Sequence, residues 1–369
     1  MLELLKKTFA GKRVFLTGHT GFKGAWMLQV LNWLGADVKG FSLAPENAND
    51  LYNEIKGDDI CYSSVIADIR DLNRLQAELV RFEPNFVFHL AAQALVRPSY
   101  VYPVDTFATN AMGTAHVLEA LRFLEKPAVA LMITTDKVYE NPERGQAFKE
   151  DDKLGGYDPY SASKAAAEIV ISSYTRSFFN PAHYDKHQKA VASVRAGNVI
   201  GGGDRSVDRI VPDIVRALEF GDKVSLRSPN SVRPWQHVLE PIAAYLLLAA
   251  RMQEDPTQYS TPFNFGPETT DEKTVEELTR IFLSVFGKEG AYENAEHTAI
   301  VHEAKLLMLD SSKAKSMLGW MPKLDAATAI RWTADWYANK ELGAAEKCNL
   351  QIQEYFGAES PKINIADDL

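Results

Sequence analysis

The sequence predicts an α/β protein: a doubly wound parallel sheet with a smaller mixed α/β lobe interleaved with it. Three observations predict this. Short apolar runs and helical patterns alternate through roughly the first half of the chain, the arrangement of a parallel sheet covered by helices on both faces. The runs are nearly continuous in apolar residues instead of alternating, as two-sided burial requires. Three glycines, Gly18, Gly21 and Gly24, fall between the first run and the first helical pattern.

The elements follow in order. Residues 12–17 read as a strand and 22–34 as a helix, with Trp26, Leu28, Val30, Leu31 and Leu34 among its apolar positions. Strands follow at 37–43 and 65–68, then a helix at 72–82. A strand at 85–90 precedes a helix at about 105–124. Strands at 129–134 and 190–195 flank a helix at 159–178. After Gly197 the pattern changes. The loop Gly201-Gly202-Gly203-Asp204 leads to a helix near 209–220, and 262–265 returns as a strand. Helices are expected at 272–286, 311–318 and 325–337. The expected division is a nucleotide-binding domain over 1–198, its sheet completed by segments near 238–266. A substrate lobe takes 199–237 and 267–338, and 339–369 is a C-terminal extension whose last twenty or so residues read as a tail.

Composition narrows the function. A net charge of −9 argues against a nucleic-acid surface, which needs a basic field to displace counterions. The two cysteines, Cys61 and Cys348, suggest neither a zinc site nor a disulfide framework. No metal is expected. No apolar run reaches the roughly 18 residues of a membrane span. The stretch 1–10 is amphipathic and too short for a signal peptide. Cytoplasmic residence, with no membrane or nucleic-acid partner, is the expectation.

The first strand runs into Gly18-His19-Thr20-Gly21-Phe22-Lys23-Gly24, where a helix opens. Glycines there permit a tight turn, close approach of a pyrophosphate and close helix packing, and the helix N-terminus offers free N–H groups to the anion. This is the dinucleotide cradle of a Rossmann-type sheet, in GxxGxxG spacing. His19 either faces phosphate or fixes the loop. The second strand ends at Ser42-Leu43 without the ribose-binding carboxylate usual about 20 residues on. Ser42 is left as a weak hydroxyl partner, and no Arg follows to hold a 2′-phosphate. The expected cofactor is NAD. Asp68 and Ile69 end the third strand, with Asp68 a candidate for the adenine amino group or a turn residue. Leu90, Ala91, Ala92 and Gln93 follow the next, small enough for the dinucleotide to lie against the backbone.

Tyr160 and Lys164 stand four residues apart on one helix face. A phenol of reference pKa about 10 is a poor base at neutral pH. A nearby ammonium stabilises the phenolate, which then takes a hydroxyl proton while hydride leaves carbon. Thr135, Asp136 and Lys137 follow the fifth strand, at the sheet end where ligands bind. Thr135 is a second partner for the reacting hydroxyl, and Asp136 and Lys137 an acid–base couple. Asn198, Arg209 and Arg233 are candidates for a substrate diphosphate, since guanidinium matches phosphate with two bonds. Arg195 is open between that role and a structural pairing. Trp235 and His237 are open between pocket lining and structure.

Together these residues resemble the extended short-chain dehydrogenase/reductases that act on nucleotide sugars. Asp310-Ser311-Ser312-Lys313-Ala314 and Leu318-Gly319-Trp320 add to the likeness, which covers about residues 10 to 338. The segments 18–24, 42–45, 194–204 and 233–238 are similar to the group of 4,6-dehydratases acting on CDP-glucose. Dehydratases for dTDP- and GDP-sugars carry Thr-Asp-Glu where this chain has Thr135-Asp136-Lys137. The resemblance implies CDP-D-glucose as substrate and NAD as cofactor, in deoxysugar biosynthesis by a homodimer or homotetramer. It also implies a cycle. Tyr160, Thr135 and Lys164 serve oxidation at C4; Lys137, if neutral, removes the C5 proton; Asp136, if protonated, protonates the departing C6 hydroxyl; hydride returns to C6. A 4-epimerase shares the cradle and the Tyr160/Lys164 pair but needs no elimination couple. A non-catalytic dinucleotide-binding regulator needs no phenolate.

Overall fold

The computed structural model describes residues 1–142, 145–295 and 307–358. Seven parallel strands form the central sheet: β1 (Arg13–Thr17), β2 (Asp37–Ser42), β3 (Ser63–Ile66), β4 (Phe86–His89), β5 (Ala128–Ile133), β6 (Lys189–Ala196) and β7 (Phe263–Phe265). Their spatial order is β7-β6-β5-β4-β1-β2-β3. β5 and β6 are buried along their whole length, which is why they read as unbroken apolar runs. The order reverses between β1 and β4, where Thr17 pairs with His89. A crevice at such a reversal, beyond the strand C-termini, is where ligands bind in these sheets.

The principal helices are α1 (Leu2–Phe9), α2 (Phe22–Trp33), α3 (Leu72–Phe82), α4 (Gly113–Arg122), α5 (Pro159–Ser177), α6 (Ile210–Phe220), α7 (Leu239–Glu254), α8 (Val275–Ser284), α9 (Ala326–Ala338) and α10 (Ala344–Phe356). The sequence sets several of their ends. Asp158 caps α5 by accepting from Ser161 N at 2.9 Å, and Pro159 follows as the first helical residue. Proline suits that position because its missing N–H would have had no partner. Asp71 caps α3, and Asp325 caps α9.

Four expectations are corrected. The third strand ends at Ile66, so Asp68 lies in the turn before α3. The helix expected at 105–124 begins as Pro103–Phe107, passes through a π-helical segment at Ala108–Met112 and continues as α4. Of the stretch 238–266, only Phe263–Phe265 joins the sheet; most of the rest is α7. Every residue from 239 to 250 is buried, so α7 has no polar face to generate a helical stripe. Finally, α10 lies within the expected extension but is docked. Gln29 donates to Asn349 at 2.8 Å, and Tyr355 donates to Glu240 at 2.9 Å. The remainder of the expected tail, 359–369, lies outside the described residues.

The second lobe combines α6, α8 and α9 with short strand pairs, Val224–Leu226 against Tyr292–Asn294 and Val232–Arg233 against Lys273–Thr274. No described helix is long and apolar enough to cross a membrane.

Candidate active site

The cradle is built as the glycine spacing requires. Gly18 has φ +74°, and a Cβ there would stand 2.7 Å from Ala91 N. A Cβ on Gly24 would stand 2.0 Å from Gly18 O, so the loop folds directly onto the helix start. Gly21 is the N-cap of α2 and supplies no side-chain cap. The first-turn N–H groups therefore remain for an anion. These features fit the pyrophosphate of a dinucleotide.

The cradle's side chains divide. His19 is buried, with Nε2 2.9 Å from Ser64 Oγ. Its ring fills the space a Cβ on Gly40 would need and meets Tyr52 edge-on. Burial pushes its pKa down to about 4, and the ring is part of the support beneath the loop. Thr20 Oγ1 bonds both Ser42 Oγ and Leu43 O at 2.9 Å, closing the loop onto the end of β2. Phe22 packs near Gly201. Lys23 Nζ lies 5.8 Å over the Tyr245 ring of α7. Burial first, then Arg209 and Lys164, push its pKa down to about 8, and Asp136 opposes them. The Lys23 ammonium thus lies within electrostatic reach of Arg209, Lys164 and Asp136.

On the adenosine side, the Asp68 carboxylate takes a two-pronged bond from Arg70, which also reaches Asp105 at 2.9 Å. The bond from Arg70 holds the Asp68 pKa below its usual range. Ile69 is buried. The backbone N–H of Ala91 donates to Thr17 Oγ1 at 3.2 Å, placing Leu90, Ala91 and Ala92 along the crevice. Gln93 is folded onto its own loop, its Oε1 accepting from Leu95 N and its Nε2 donating to Thr106.

The structure brings Thr135, Asp136, Lys137, Tyr160 and Lys164 together at the C-terminal ends of β5 and β6. Thr135 Oγ donates to Asp136 Oδ1 at 2.9 Å. Lys137 Nζ stands 3.6 Å from the same oxygen. Asp136 is 1% exposed, and its Oδ2 has no hydrogen-bond partner among the described residues. Burial raises the Tyr160 pKa; the Lys137 ammonium, then the Thr135 hydroxyl, pull it back. The cation that the sequence reading offered for this task, Lys164, is occupied differently. It donates to Ile133 O at 3.1 Å, and burial pushes it down to about 8. Lys137 is the cation that acts most on the phenol.

Arg195 resolves as structural. Its Nε and NH2 donate to the Glu168 carboxylate at 2.9 and 2.8 Å, and its NH1 donates to Tyr139 OH at 2.6 Å. Thr134 and Ser193 also donate to Glu168. His237 and Trp235 are structural too: His237 is buried between Trp26 and Trp332, and Trp235 donates to Lys273 O. Arg209 pairs with Asp204 at 3.2 Å and contributes to the field on Tyr160 and Lys23. Arg233 donates to Val232 O, and Asn198 O accepts from Gln236 N.

Two positioning residues escaped the sequence reading. Asn110, buried in the π-helical segment, donates to Ser163 Oγ at 2.8 Å and to Gln93 O at 3.0 Å. It ties α5 to the dinucleotide loop, and π segments often mark functional positions. An Asn inside a helical pattern just before Gly113-Thr114 was the available signal. Tyr245 sits on α7 near Asp136 and Tyr160, its hydroxyl buried without a partner among the described residues. No local pattern marks it.

A nucleotide cradle at a sheet reversal, with a helix-borne Tyr/Lys pair beside it, defines an extended short-chain dehydrogenase/reductase. The chain belongs to the GDP-mannose 4,6 dehydratase family, whose sequence model matches residues 15–333. It is 42% identical over 359 residues to the CDP-glucose 4,6-dehydratase of Salmonella typhimurium, covering 96% of this chain and 98% of that protein. It is 31% identical to the dTDP-glucose 4,6-dehydratase of Streptomyces antibioticus, covering 88% and 92%. In fold it is similar to DesIV, the dTDP-glucose 4,6-dehydratase of Streptomyces venezuelae crystallised with NAD and TYD. The TM-score is 0.74 at 24% identity, over 89% of this chain and 97% of that one.

Two measurements test this electrostatic frame. Glu168→Ala strands the buried Arg195 guanidinium and is expected to cost about 3–5 kcal/mol of stability, read by denaturant unfolding. Burial also lowers His89 and His237, each to about 3, as it lowers His19 to about 4. Their neutral folded forms carry no penalty above the unfolded value of about 6.5. As pH falls below it, the unfolded chain binds protons first, so each histidine removes about 1.4 kcal/mol of stability per pH unit down to its folded value. Chemical unfolding between pH 7 and 4 checks this slope; His237→Gln is expected to lower it by one histidine's share.

Proposed function

We propose that this protein is a CDP-glucose 4,6-dehydratase, converting CDP-D-glucose to CDP-4-keto-6-deoxy-D-glucose and water with NAD as resident cofactor. One observation carries the reading: Asp136 and Lys137 stand beside Tyr160 through Thr135, so an elimination couple adjoins an oxidation pair. The likeness to the Salmonella enzyme supports the choice of nucleotide.

Gly18, Gly21 and Gly24, with the first turn of α2, hold the pyrophosphate. Asp68, Ile69 and 90–93 line the adenosine side, and Lys164 reaches toward the nicotinamide ribose. The bound dinucleotide supplies reversible hydride acceptance, from C4 and back to C6. Tyr160 takes the proton of the C4 hydroxyl, with Thr135 sharing that hydroxyl. The resulting ketone acidifies C5–H, which Lys137 removes and later restores. Asp136 protonates the C6 hydroxyl, which leaves as water. Asn198, Arg209 and Arg233 take the diphosphate, within a substrate lobe formed by 199–237 and 267–338. The sealed position of Asp136 keeps bulk water from competing for the proton.

We also propose cytoplasmic residence and a homodimer or homotetramer. Val101, Val104, Phe107 and Met112, together with Ile169 of α5 and Phe178 just after it, are exposed apolar side chains on or beside the helices flanking the sheet. Apolar exposure of that extent marks contact surfaces. Sedimentation velocity is expected to show a dimer or tetramer; a monomer at micromolar concentration rejects the contact.

Activity is tested by incubation with CDP-glucose and NAD, following the alkaline absorbance of the keto sugar. Formation of the 4-epimer without keto product would favour an epimerase, and dinucleotide binding without either product a regulator. Tyr160→Phe is expected to lose roughly 100-fold or more in keto-sugar formation while still binding NAD by calorimetry. Lys137→Ala is expected to slow C4 oxidation, because Lys137 acts on the phenol, yet still to give reduced-dinucleotide absorbance on binding substrate, and to lose dehydration.

A further inference from the structure

The proton balance of the dehydratase reaction demands a transfer that the roles above leave out. In each turnover Tyr160 gains the proton of the C4 hydroxyl. Asp136 loses the proton that departs in water. The C5 proton is removed and restored, and the C4 hydride moves to C6. The next cycle needs Tyr160 without its proton and Asp136 with one. One proton must therefore pass from the tyrosine to the aspartate in every turnover.

Solvent is poorly placed to carry it. Tyr160 is 8% exposed and Asp136 1%, whereas the Lys137 side chain is 30% exposed. One hydroxyl joins the two sealed groups. Thr135 Oγ donates to Asp136 Oδ1 at 2.9 Å, and the same hydroxyl lies near enough to the Tyr160 phenol to lower its pKa. Its position is fixed, since it lies two residues beyond β5 and its Oγ accepts the backbone N–H of Lys137 at 3.4 Å. A threonine hydroxyl donates and accepts at once, so it passes a proton without changing its own charge.

Resting on the dehydratase reading, we propose that Thr135 relays the proton from Tyr160 to Asp136 that resets the enzyme after each turnover. The Tyr160 O–H bond breaks as an O–H bond forms on Thr135 Oγ. The original Thr135 O–H bond breaks as one forms on Asp136 Oδ1. A phenolate, a neutral hydroxyl and a carboxylic acid result. No electrons are exchanged and no co-reactant is needed. The transfer follows the loss of water, when Asp136 has given up its proton and the C4 oxygen is a carbonyl that has released Thr135. In water a phenol does not protonate a carboxylate. Here Arg209, and Lys137 while it holds the C5 proton as an ammonium, stabilise the phenolate, and Asp136 Oδ2 is buried without a partner among the described residues, which disfavours the anion.

Rapid-quench kinetics on Thr135→Val and Thr135→Ser test the relay. Thr135→Val is expected to give a burst of one keto sugar per site, followed by steady turnover roughly tenfold or more slower. Thr135→Ser and the wild type are expected to show no such burst. Small carboxylic acids added to Thr135→Val are expected to speed the steady phase and leave the burst unchanged. Equal slowing of first and later turnovers, with no response to added acid, overturns the proposal and leaves Thr135 only as an orienting group. If Thr135→Val does not fold, Thr135→Ala takes its place: a burst followed by a slow steady phase that added acid speeds supports the relay, and equal slowing of all turnovers without response to acid rejects it. Wild-type protein that makes no keto sugar overturns the reading beneath the proposal and the relay with it.

Discussion

The helix that carries Tyr160 and Lys164 is held to the sheet by one buried ion pair, Glu168 with Arg195. Glu168 is one helical turn beyond Lys164 and accepts from Thr134, Ser193 and Arg195. It thereby joins α5 to the ends of β5 and β6. Thr135, Asp136 and Lys137 leave β5 at that point, so the same contacts that place the phenol also place the elimination couple. A buried pair of this kind contributes little net stability over an apolar packing. Its value lies in geometry, because every donor and acceptor must be satisfied at once. Asn110 does the same work from the other side of α5, through Ser163.

Charge in the centre is uneven. Lys23, Lys137, Lys164 and Arg209 gather near Asp136, with Asp204 paired to Arg209 and Glu168 acting on Lys164, and burial opposes the charged form of each lysine whose pKa moves. Such a centre suits anionic ligands, a diphosphate among them. It also suits a phenol that must become phenolate, since Lys137 and Arg209 both act on Tyr160. The ammonium on the phenol's own helix contributes through position, by bonding Ile133 O. Lys23 sits in the first turn of α2, where the helix dipole disfavours a cation. Its side chain leaves the cradle and runs toward Tyr245 on α7, so the cofactor loop and the second half of the chain meet at the reacting centre.

Much of this was legible in sequence. The strand and helix periods placed six of the seven sheet strands to within two residues, most sharply where the run is buried on both faces, as in β5 and β6; the partly buried β3 was placed two residues late. The seventh, residues 262–265, was also placed, although the helix before it was missed. Gly18, Gly21 and Gly24 announced the cradle, since at Gly18 and Gly24 only glycine fits where a Cβ would strike the backbone. The four-residue spacing of Tyr160 and Lys164, behind Asp158-Pro159, announced one helix face and its starting phase. These signals are local, and the chain needs no partner segment to display them.

By itself the sequence determined the sheet, the cradle and the identity of the reacting side chains, because covalent spacing and backbone sterics act over a few residues. Tertiary structure alone decided what each charged group faces. Arg195 became an anchor, His19 and His237 became buried supports, and Lys23 came to lie over Tyr245, because their partners lie 27 to 222 residues away or on a helix with no polar face. Such outcomes depend on burial and on distant partners, and a linear chain expresses neither until it is folded.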